Sequence, residues 1–537
     1  MTIQATAAAD TKTSGALRRT ITWVDAVWIA MGVPTVVIFS IGGIAATVGT
    51  PSWVVWTVSV LFGFIQAFTY AEIAGMFPNK SGGASVYGAM AWIRYSKLIA
   101  PISVWTNWLA WSPALAIGSA IAAGSLMRIF FAVDDPINTW QYVLLDLGAL
   151  KEGLAIRLNA TFFVGLFVML SVFAVQHHGI LRTARVQTIA ALAVLIPLLL
   201  VGLVPLLTGS ILSTNLQPLV PIAHDAAGNV ISGEWNRAGW TLFLGGLFIA
   251  AWSTYAIETT VCYTREFKNP ASDTWKSIVA VGLICILFFV LVPFSFQGVL
   301  GLQGMLEPGI ADGSGVAIAM AKMVGGGRIV ESFLSATLIL AVLLTVMTAM
   351  AGSSRTLYQG SVDGWLPRYL SHVNANGAPT RAMWTDLAFN VFLLAMSDYL
   401  FVLAVSNCCY IVFNFLNLNA GWIHRIDNAD ARRPWRASTA LIVAGTALSF
   451  VNCVLLGAGA NVWGPGTLIS GIAASLLILP VFWFRHYVQD GGVFPASALA
   501  SEPGGAQVLG PRKAGILPYV ALAAGAATAL LANQIFG

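Results

Sequence analysis

Hydrophobic positions in this chain gather in long blocks, without the alternation of a half-buried strand or the one-sided stripe of a soluble helix. Blocks of roughly 20 apolar residues, the length that lets an α-helix cross a bilayer, fall near residues 22–48, 53–76, 101–131, 158–177, 184–208, 239–263, 276–301, 329–352, 382–397, 399–421, 438–458 and 465–487. A further block, Ile516 to Phe536, is rich in Ala and Gly and follows a polar linker at 488–515. The pattern predicts an all-α polytopic membrane protein with twelve transmembrane helices and a candidate thirteenth. Helix is the expected form because every backbone polar group in lipid needs an internal partner, and the blocks are too long and continuous for barrel strands. The tail at 1–21 is polar, and the block after it outruns a signal-peptide core, so it is expected to stay as the first span.

Composition agrees with the pattern. Of 537 residues 58% are hydrophobic and 9% charged, against about 25% charged in soluble domains. That excludes a cytosolic enzyme, a disordered chain and a nucleic-acid-binding domain. The net charge of +5 takes its meaning from placement, because Lys and Arg accumulate on the cytoplasmic side of a membrane protein. With the N-terminus cytoplasmic, about 21 of the 27 basic residues fall in cytoplasmic segments, among them Lys12, Arg18, Arg19, Lys80, Arg182, Arg355, Arg433 and Arg512. The other side keeps Arg128, Lys151, Arg157, Arg237, Lys322 and Arg328 beside Asp134, Asp135, Asp146, Asp225, Glu307 and Asp312. The expected location is therefore the cell membrane, multi-pass, with the N-terminus inside; the C-terminus is inside for twelve helices and outside for thirteen. The five cysteines, Cys262, Cys285, Cys408, Cys409 and Cys453, lie in or at the ends of apolar blocks and read as buried thiols, without zinc-site spacing.

Three segments depart from plain hydrophobic runs. Tyr70-Ala71-Glu72 leads to Phe77-Pro78 and then Gly82-Gly83, where Pro78 stops a helix and the glycines allow a tight reversal. Phe248 to Glu258 carries Trp252, Ser253, Thr254 and Tyr255 and places an acid inside a span, continuing to Arg265-Glu266-Phe267-Lys268-Asn269-Pro270. Ser353-Ser354-Arg355-Thr356-Leu357-Tyr358 runs on to Asp363-Gly364-Trp365-Leu366-Pro367.

In order and spacing these segments resemble the amino acid/polyamine/organocation superfamily of transporters, over residues 17 to about 487. The resemblance implies a leucine-transporter-like fold, a 5+5 inverted repeat with helices 1–5 at 22–208 and helices 6–10 at 239–421, followed by helices 11–12 at 438–487. Substrate is then expected near the midplane, between broken helices one and six. In the first span Gly32-Val33-Pro34-Thr35 is the natural interruption, since Pro34 lacks an N–H; a kink in a continuous helix is the alternative. The glycine-rich helix-one motif of the family falls here on Pro34-Thr35-Val36-Val37-Ile38, which has no glycine. That favours an organic amine or bulky derivative over a simple α-amino acid.

Expected substrate-binding residues are Gly32, Pro34, Thr35, Val36, Asn107, Trp252, Ser253, Thr254, Tyr255, Glu258 and Asn407. Glu258 reads either as a functional acid that relays a proton or meets a cation, or as a structural member of its motif bonded to backbone amides. Trp252, six residues earlier, resembles the substrate-contacting Trp of arginine/agmatine antiporters, and an indole face suits a cationic head group. Asn107, among Trp105, Trp108 and Trp111, either points to substrate or bonds a neighbouring helix. Asp25, Glu72, Arg355 and Asp363 are expected to cap helices or pair in an inward gate. For coupling, Val186 to Leu200 lacks the Lys that proton-coupled relatives place in helix five, while Ser353 and Ser354, with carbonyls near Gly32, could hold sodium. Proton and sodium both stay open, Glu258 being the proton candidate; no cofactor or metal is otherwise expected. The function implied is a secondary transporter, not an enzyme, moving an amino acid or related organic amine by alternating access. An exchanger and a non-transporting sensor of the same fold are the alternatives. The partners are a small molecule and the lipid bilayer, with no nucleic acid, and the oligomeric state is open.

Overall fold

The computed structural model describes residues 17–132, 134–225, 229–307, 309–310, 315–496 and 510–537. The tail to residue 16 with Lys12, Asp312, the side chain of Arg182 and linker residues 497–509 lie outside the described residues. The first half comprises α1 (Trp23–Ile29), α2 (Gly32–Thr35), α3 (Val37–Val48), α4 (Ser52–Gly75), α5 (Ala84–Trp92), α6 (Ile99–Trp111), α7 (Ala114–Phe130), α8 (Pro136–Thr139), β1 (Gln141–Asp146), β2 (Ala155–Asn159), α9 (Ala160–Gln176) and α10 (Ile180–Thr208). The second comprises β3 (Ile222–His224), β4 (Val230–Ser232), α11 (Arg237–Thr254), a 3₁₀ segment (Tyr255–Glu266), α12 (Pro270–Met305), α13 (Val316–Met323), α14 (Arg328–Val362), α15 (Thr380–Leu394) and α16 (Tyr399–Asp427). Then come α17 (Thr439–Gly459), α18 (Thr467–Leu476), α19 (Ile478–Trp483) and α20 (Leu517–Phe536).

Eleven helical stretches among the described residues are long and apolar enough to cross a bilayer, including Trp23–Val48, Ile99–Phe130, Arg237–Glu266 and Leu517–Phe536. Ala160–Gln176 is apolar but shorter, and α15 has 15 residues. The chain is not wholly α-helical: β1 pairs with β2 and β3 with β4, each an antiparallel hairpin in a connection between helices. The block expected to be helical from 158 begins as strand; Asn159 ends β2 and caps α9, its side chain accepting the Phe162 N–H at 2.8 Å. The block at 101–131 is two helices meeting at Ser112-Pro113.

Small residues set the helix contacts, as expected where lipid leaves no hydrophobic force to drive helices together. A methyl group added to Gly457 on α17 would stand 2.0 Å from Ala529 O on α20, and one on Gly525 would stand 2.4 Å from the Phe415 ring. Capping is local and polar: Thr22 and Asp25 form a reciprocal box at the start of α1, with Thr22 N donating to Asp25 Oδ2 at 2.8 Å and Asp25 N to Thr22 Oγ1 at 3.4 Å.

Candidate functional site

Helices α1 to α3 are one interrupted span. Pro34 has no N–H for Ala30 O, four residues back; Val33 N takes that carbonyl at 2.9 Å, Val36 N takes Val33 O at 3.2 Å, and Phe39 N takes Val36 O at 3.0 Å. The backbone tightens into i→i+3 turns, with breaks at Ala30-Met31 and at Val36 on either side of α2. The helical hydrogen-bond ladder is interrupted there, while Ala30, Met31 and Val36 keep right-handed helical dihedrals within one apolar stretch, Trp23–Val48. Gly32 lets α14 approach: a methyl group there would meet Thr348 Oγ1 at 2.5 Å and Leu344 O at 2.7 Å. Carbonyls at the break are met by neutral donors. Ile29 O accepts from Thr348 Oγ1 (2.6 Å) and Gln187 Nε2 (3.0 Å), and Gly32 O from Thr35 Oγ1 (2.7 Å) and Thr345 Oγ1 (3.1 Å).

These positions correct the expected sodium set. Ser353 Oγ donates to Asp386 Oδ2 at 2.5 Å and Ser354 Oγ to Met350 O at 2.7 Å. The α14 hydroxyls that reach the break are Thr345 and Thr348. Ser353 lies five residues beyond Thr348, about 7.5 Å along a helix, which carries both serines past the freed carbonyls.

The second break follows α11. At Thr254 the helix gives way to 12 residues in 3₁₀ form, Tyr255–Glu266, a length rare for that geometry and found mid-helix at functional hinges. Trp252 Nε1 donates to Ala110 O at 2.9 Å and Ser406 Oγ at 3.0 Å, and its ring stacks on Phe39 at 6.3 Å. Glu258 is fully buried. Its Oε1 accepts from Trp111 Nε1 (2.8 Å) and Tyr410 OH (3.3 Å). Its Oε2 lies by the Ala84 amide at the start of α5 without a hydrogen bond of good geometry, where the positive end of the helix favours an anion.

Gly82 and Gly83, at φ 91° and 92°, bring the three sequence segments together. Gly82 N donates to Cys262 O at 3.0 Å, and Thr356 Oγ1 donates to Gly82 O at 2.8 Å. A methyl group on Gly83 would stand 3.0 Å from Cys262 Sγ, 3.2 Å from Asn107 Nδ2 and 3.7 Å from Glu258 Oε2. Five ion pairs among the described residues lie around this end of the bundle. Lys80 pairs with Asp363 at 2.6 Å, Arg355 with Glu266, Arg425 and Arg433 both with Glu72 (2.6 and 3.1 Å), and Arg94 with Asp427 at 3.6 Å.

The expected site residues separate by what their polar atoms do. Asn107 Oδ1 and Nδ2, Ser253 Oγ, Glu258 Oε2 and Asn407 Oδ1 are buried without a hydrogen-bond partner, although Asn407 Nδ2 donates to Phe248 O at 2.5 Å. The others are committed to helix packing. Thr35 Oγ1 meets Thr345 Oγ1 at 2.7 Å, Thr254 Oγ1 meets Ser59 Oγ at 2.7 Å, and Tyr255 OH donates to Asn452 Oδ1 at 2.8 Å. Gly32, Pro34 and Val36 shape the break itself. Sequence reasoning missed Trp111, Tyr410 and Ser406, which hold Glu258 and Trp252, and Gln187, which bridges to the first break. The signal for Ser406 and Tyr410 was their place beside Asn407 in one polar stripe of α16.

Known proteins resemble this chain in sequence. The chain is 22% identical to a branched-chain amino acid permease of Lactococcus lactis over 418 residues, 75% of this chain and 82% of the relative. It is 23% identical to a polyamine transporter of Oryza sativa over 469 residues, 83% and 76% of the two chains. A cadaverine/lysine antiporter of Escherichia coli is 22% identical over 349 residues, 64% and 65%. The family profile described as amino acid permease spans residues 21–483, from the capping box of α1 to the end of α19, and so takes in both breaks and all three converging segments. A match over that much of its length shows that the chain belongs to the amino acid permease family of the amino acid/polyamine/organocation superfamily.

Proposed function

We propose that this chain is a secondary active transporter that moves an amino acid or related organic amine across the cytoplasmic membrane by alternating access. The observation that carries the reading is the set of unpaired buried polar atoms on Asn107, Ser253, Glu258 and Asn407. A buried polar group without a partner costs about 1–3 kcal/mol, and a ligand bearing an ammonium and hydrogen-bonding groups would offset that cost. Glu258 is the counter-charge in this reading, and Trp252 closes the site from the α6 side. The broken spans fit a leucine-transporter-like arrangement with repeats at 22–208 and 239–421, twelve or thirteen helices and a cytoplasmic N-terminus. The relatives named for polyamine and for cadaverine/lysine favour a cationic amine as substrate.

Exchange is the second reading. It is favoured by the relative named as a cadaverine/lysine antiporter.

The test is a thermal-shift screen of the purified protein against amino acids, polyamines and aromatic amines, since a ligand at 100 times its Kd stabilises the fold by about 2.7 kcal/mol. Liposomes loaded with the hit, or left empty, then separate exchange from net uptake. Glu258→Gln is expected to abolish the shift for cationic hits. No shift and no flux with any amine or amino acid would sink the proposal.

A further inference from the structure

The third span breaks at Ser112-Pro113, behind the site. Pro113 offers no N–H, so Leu109 O loses its helical donor, and Ser406 Oγ donates to it at 3.0 Å. Ser406 Oγ and Trp252 Nε1 also reach Ala110 O, at 3.0 and 2.9 Å. Across the break the Ala116 N–H, in the first turn of α7, donates to Asn390 Oδ1 at 3.1 Å. Asn390 Nδ2 donates to Ser112 Oγ at 2.7 Å. One turn earlier on α15 stands Asp386, fully buried. Its Oδ1 accepts from Ser112 Oγ at 2.6 Å and Trp108 Nε1 at 2.7 Å, and its Oδ2 from Ser353 Oγ.

Asp386 is thus, like Glu258 and unlike the ion-paired Glu72, Glu266 and Asp363, a buried acid whose hydrogen-bond donors among the described residues are all neutral. A carboxylate inside a membrane bundle is costly and is generally tied to function. What its bonds hold is the break: Trp108 and Ser112 are the last turn of the third span before Pro113. Trp111, in that same turn, donates to Glu258. Ala110 O of that turn accepts from Trp252 Nε1, and Leu109 O and Ala110 O hold Ser406, the other acceptor of that indole.

We propose that Asp386 is a positioning residue of the transport site: from α15 it fixes the break of the third span, and through the break the placement of Trp252 and Glu258. The assignment of Trp252 and Glu258 to the substrate site rests on the function proposed above; the geometric link does not.

Hydrogen–deuterium exchange on the full chain in detergent, with no ligand added, tests that link separately from transport. Asp386→Ala is expected to raise amide exchange at least tenfold in peptides covering 109–118 and 252–260, with α17 and α20 unchanged. Asp386→Asn, whose amide can accept from Trp108 and Ser112 and donate to Ser353, is expected to restore wild-type protection. Unchanged exchange in both peptides, or a uniform rise over every helix, would overturn the proposal. Should Asp386→Ala fail to fold, Ser112→Ala removes one arm of the link and is expected to give the same two-peptide pattern at smaller amplitude; exchange confined to α15 would overturn the proposal equally.

Discussion

The Arg355–Glu266 pair gives the sharpest energetic prediction. Its side chains are 4% and 1% exposed. The guanidinium is held bidentately, Nε to Glu266 Oε2 and Nη2 to Oε1 at 3.0 Å, with Nη1 donating to Ala351 O at 2.8 Å and the Tyr263 ring 5.6 Å away. Removing one partner of such a pair leaves a buried charge uncompensated, at about 3–5 kcal/mol. By the tenfold rule for each 1.4 kcal/mol, that shifts the folded-to-unfolded ratio by roughly two to three and a half orders of magnitude. Glu266→Gln and Arg355→Gln are each expected to show that loss. The double variant sets two neutral amides against each other and is expected to lose about as much as one single change, a coupling of about 3–5 kcal/mol. Equilibrium unfolding in mixed micelles of dodecyl maltoside and sodium dodecyl sulfate reads all three. A double variant whose loss equals the sum of the singles, within about 0.5 kcal/mol, would refute the pairing. The same carboxylate residue anchors the chain before α1, because Glu266 O accepts from Thr20 N at 2.9 Å and Ile21 N at 3.1 Å. Unfolding of the singles should therefore begin with early proteolysis at Arg18 and Arg19.

Three further outcomes follow from particular contacts. Gly32→Ala drives a methyl group into Leu344 O and Thr348 Oγ1, so it should cost about 1–3 kcal/mol of overpacking in the same unfolding assay; a neutral effect would mean that α14 stands further off. Gly83→Ala, strained at φ 92° and crowded by Asn107 and Cys262, is expected to abolish ligand-induced thermal shifts, while Gly124→Ala, with open space around it, leaves them intact; equal behaviour of the two would count against the site. Burial, then the hydrogen bond to Asp427, raises the Tyr95 hydroxyl above its ordinary value of 10.0. The unfolded chain therefore loses that proton first, and stability falls as pH rises past about 10. Tyr95→Phe should flatten that alkaline limb relative to wild type, and parallel limbs in the two proteins would disprove the contribution.

What could be read from the sequence depended on how local the physics is. Pro34 marked the first break because a missing N–H acts within one turn, and Glu258 stood out as an acid in an apolar block. Pro113 has the same chemistry, but it sits in a block that hydropathy reads as one continuous span. Asp386, likewise an acid in the 382–397 block, met the criterion that selected Glu258; its donors come from α6 and α14, and no spacing along the chain announces them. The pairing of Ser353-Ser354 with Gly32 failed for a geometric reason, since which turn of α14 faces α2 is decided by the close approach at Gly32. The β1–β2 and β3–β4 hairpins are short segments beside long hydrophobic runs, and their pairing is a tertiary event.

The turn at Gly82-Gly83 has a mechanical consequence. Its backbone is bonded at once to the 3₁₀ segment through Cys262 O and to α14 through Thr356 Oγ1, so those two elements share one fastening. Neither can swing away alone without breaking its own hydrogen bond to the turn or pulling the turn from its partner. Separation at this end of the bundle therefore either breaks one of these two hydrogen bonds or carries the turn along with the element that keeps its bond.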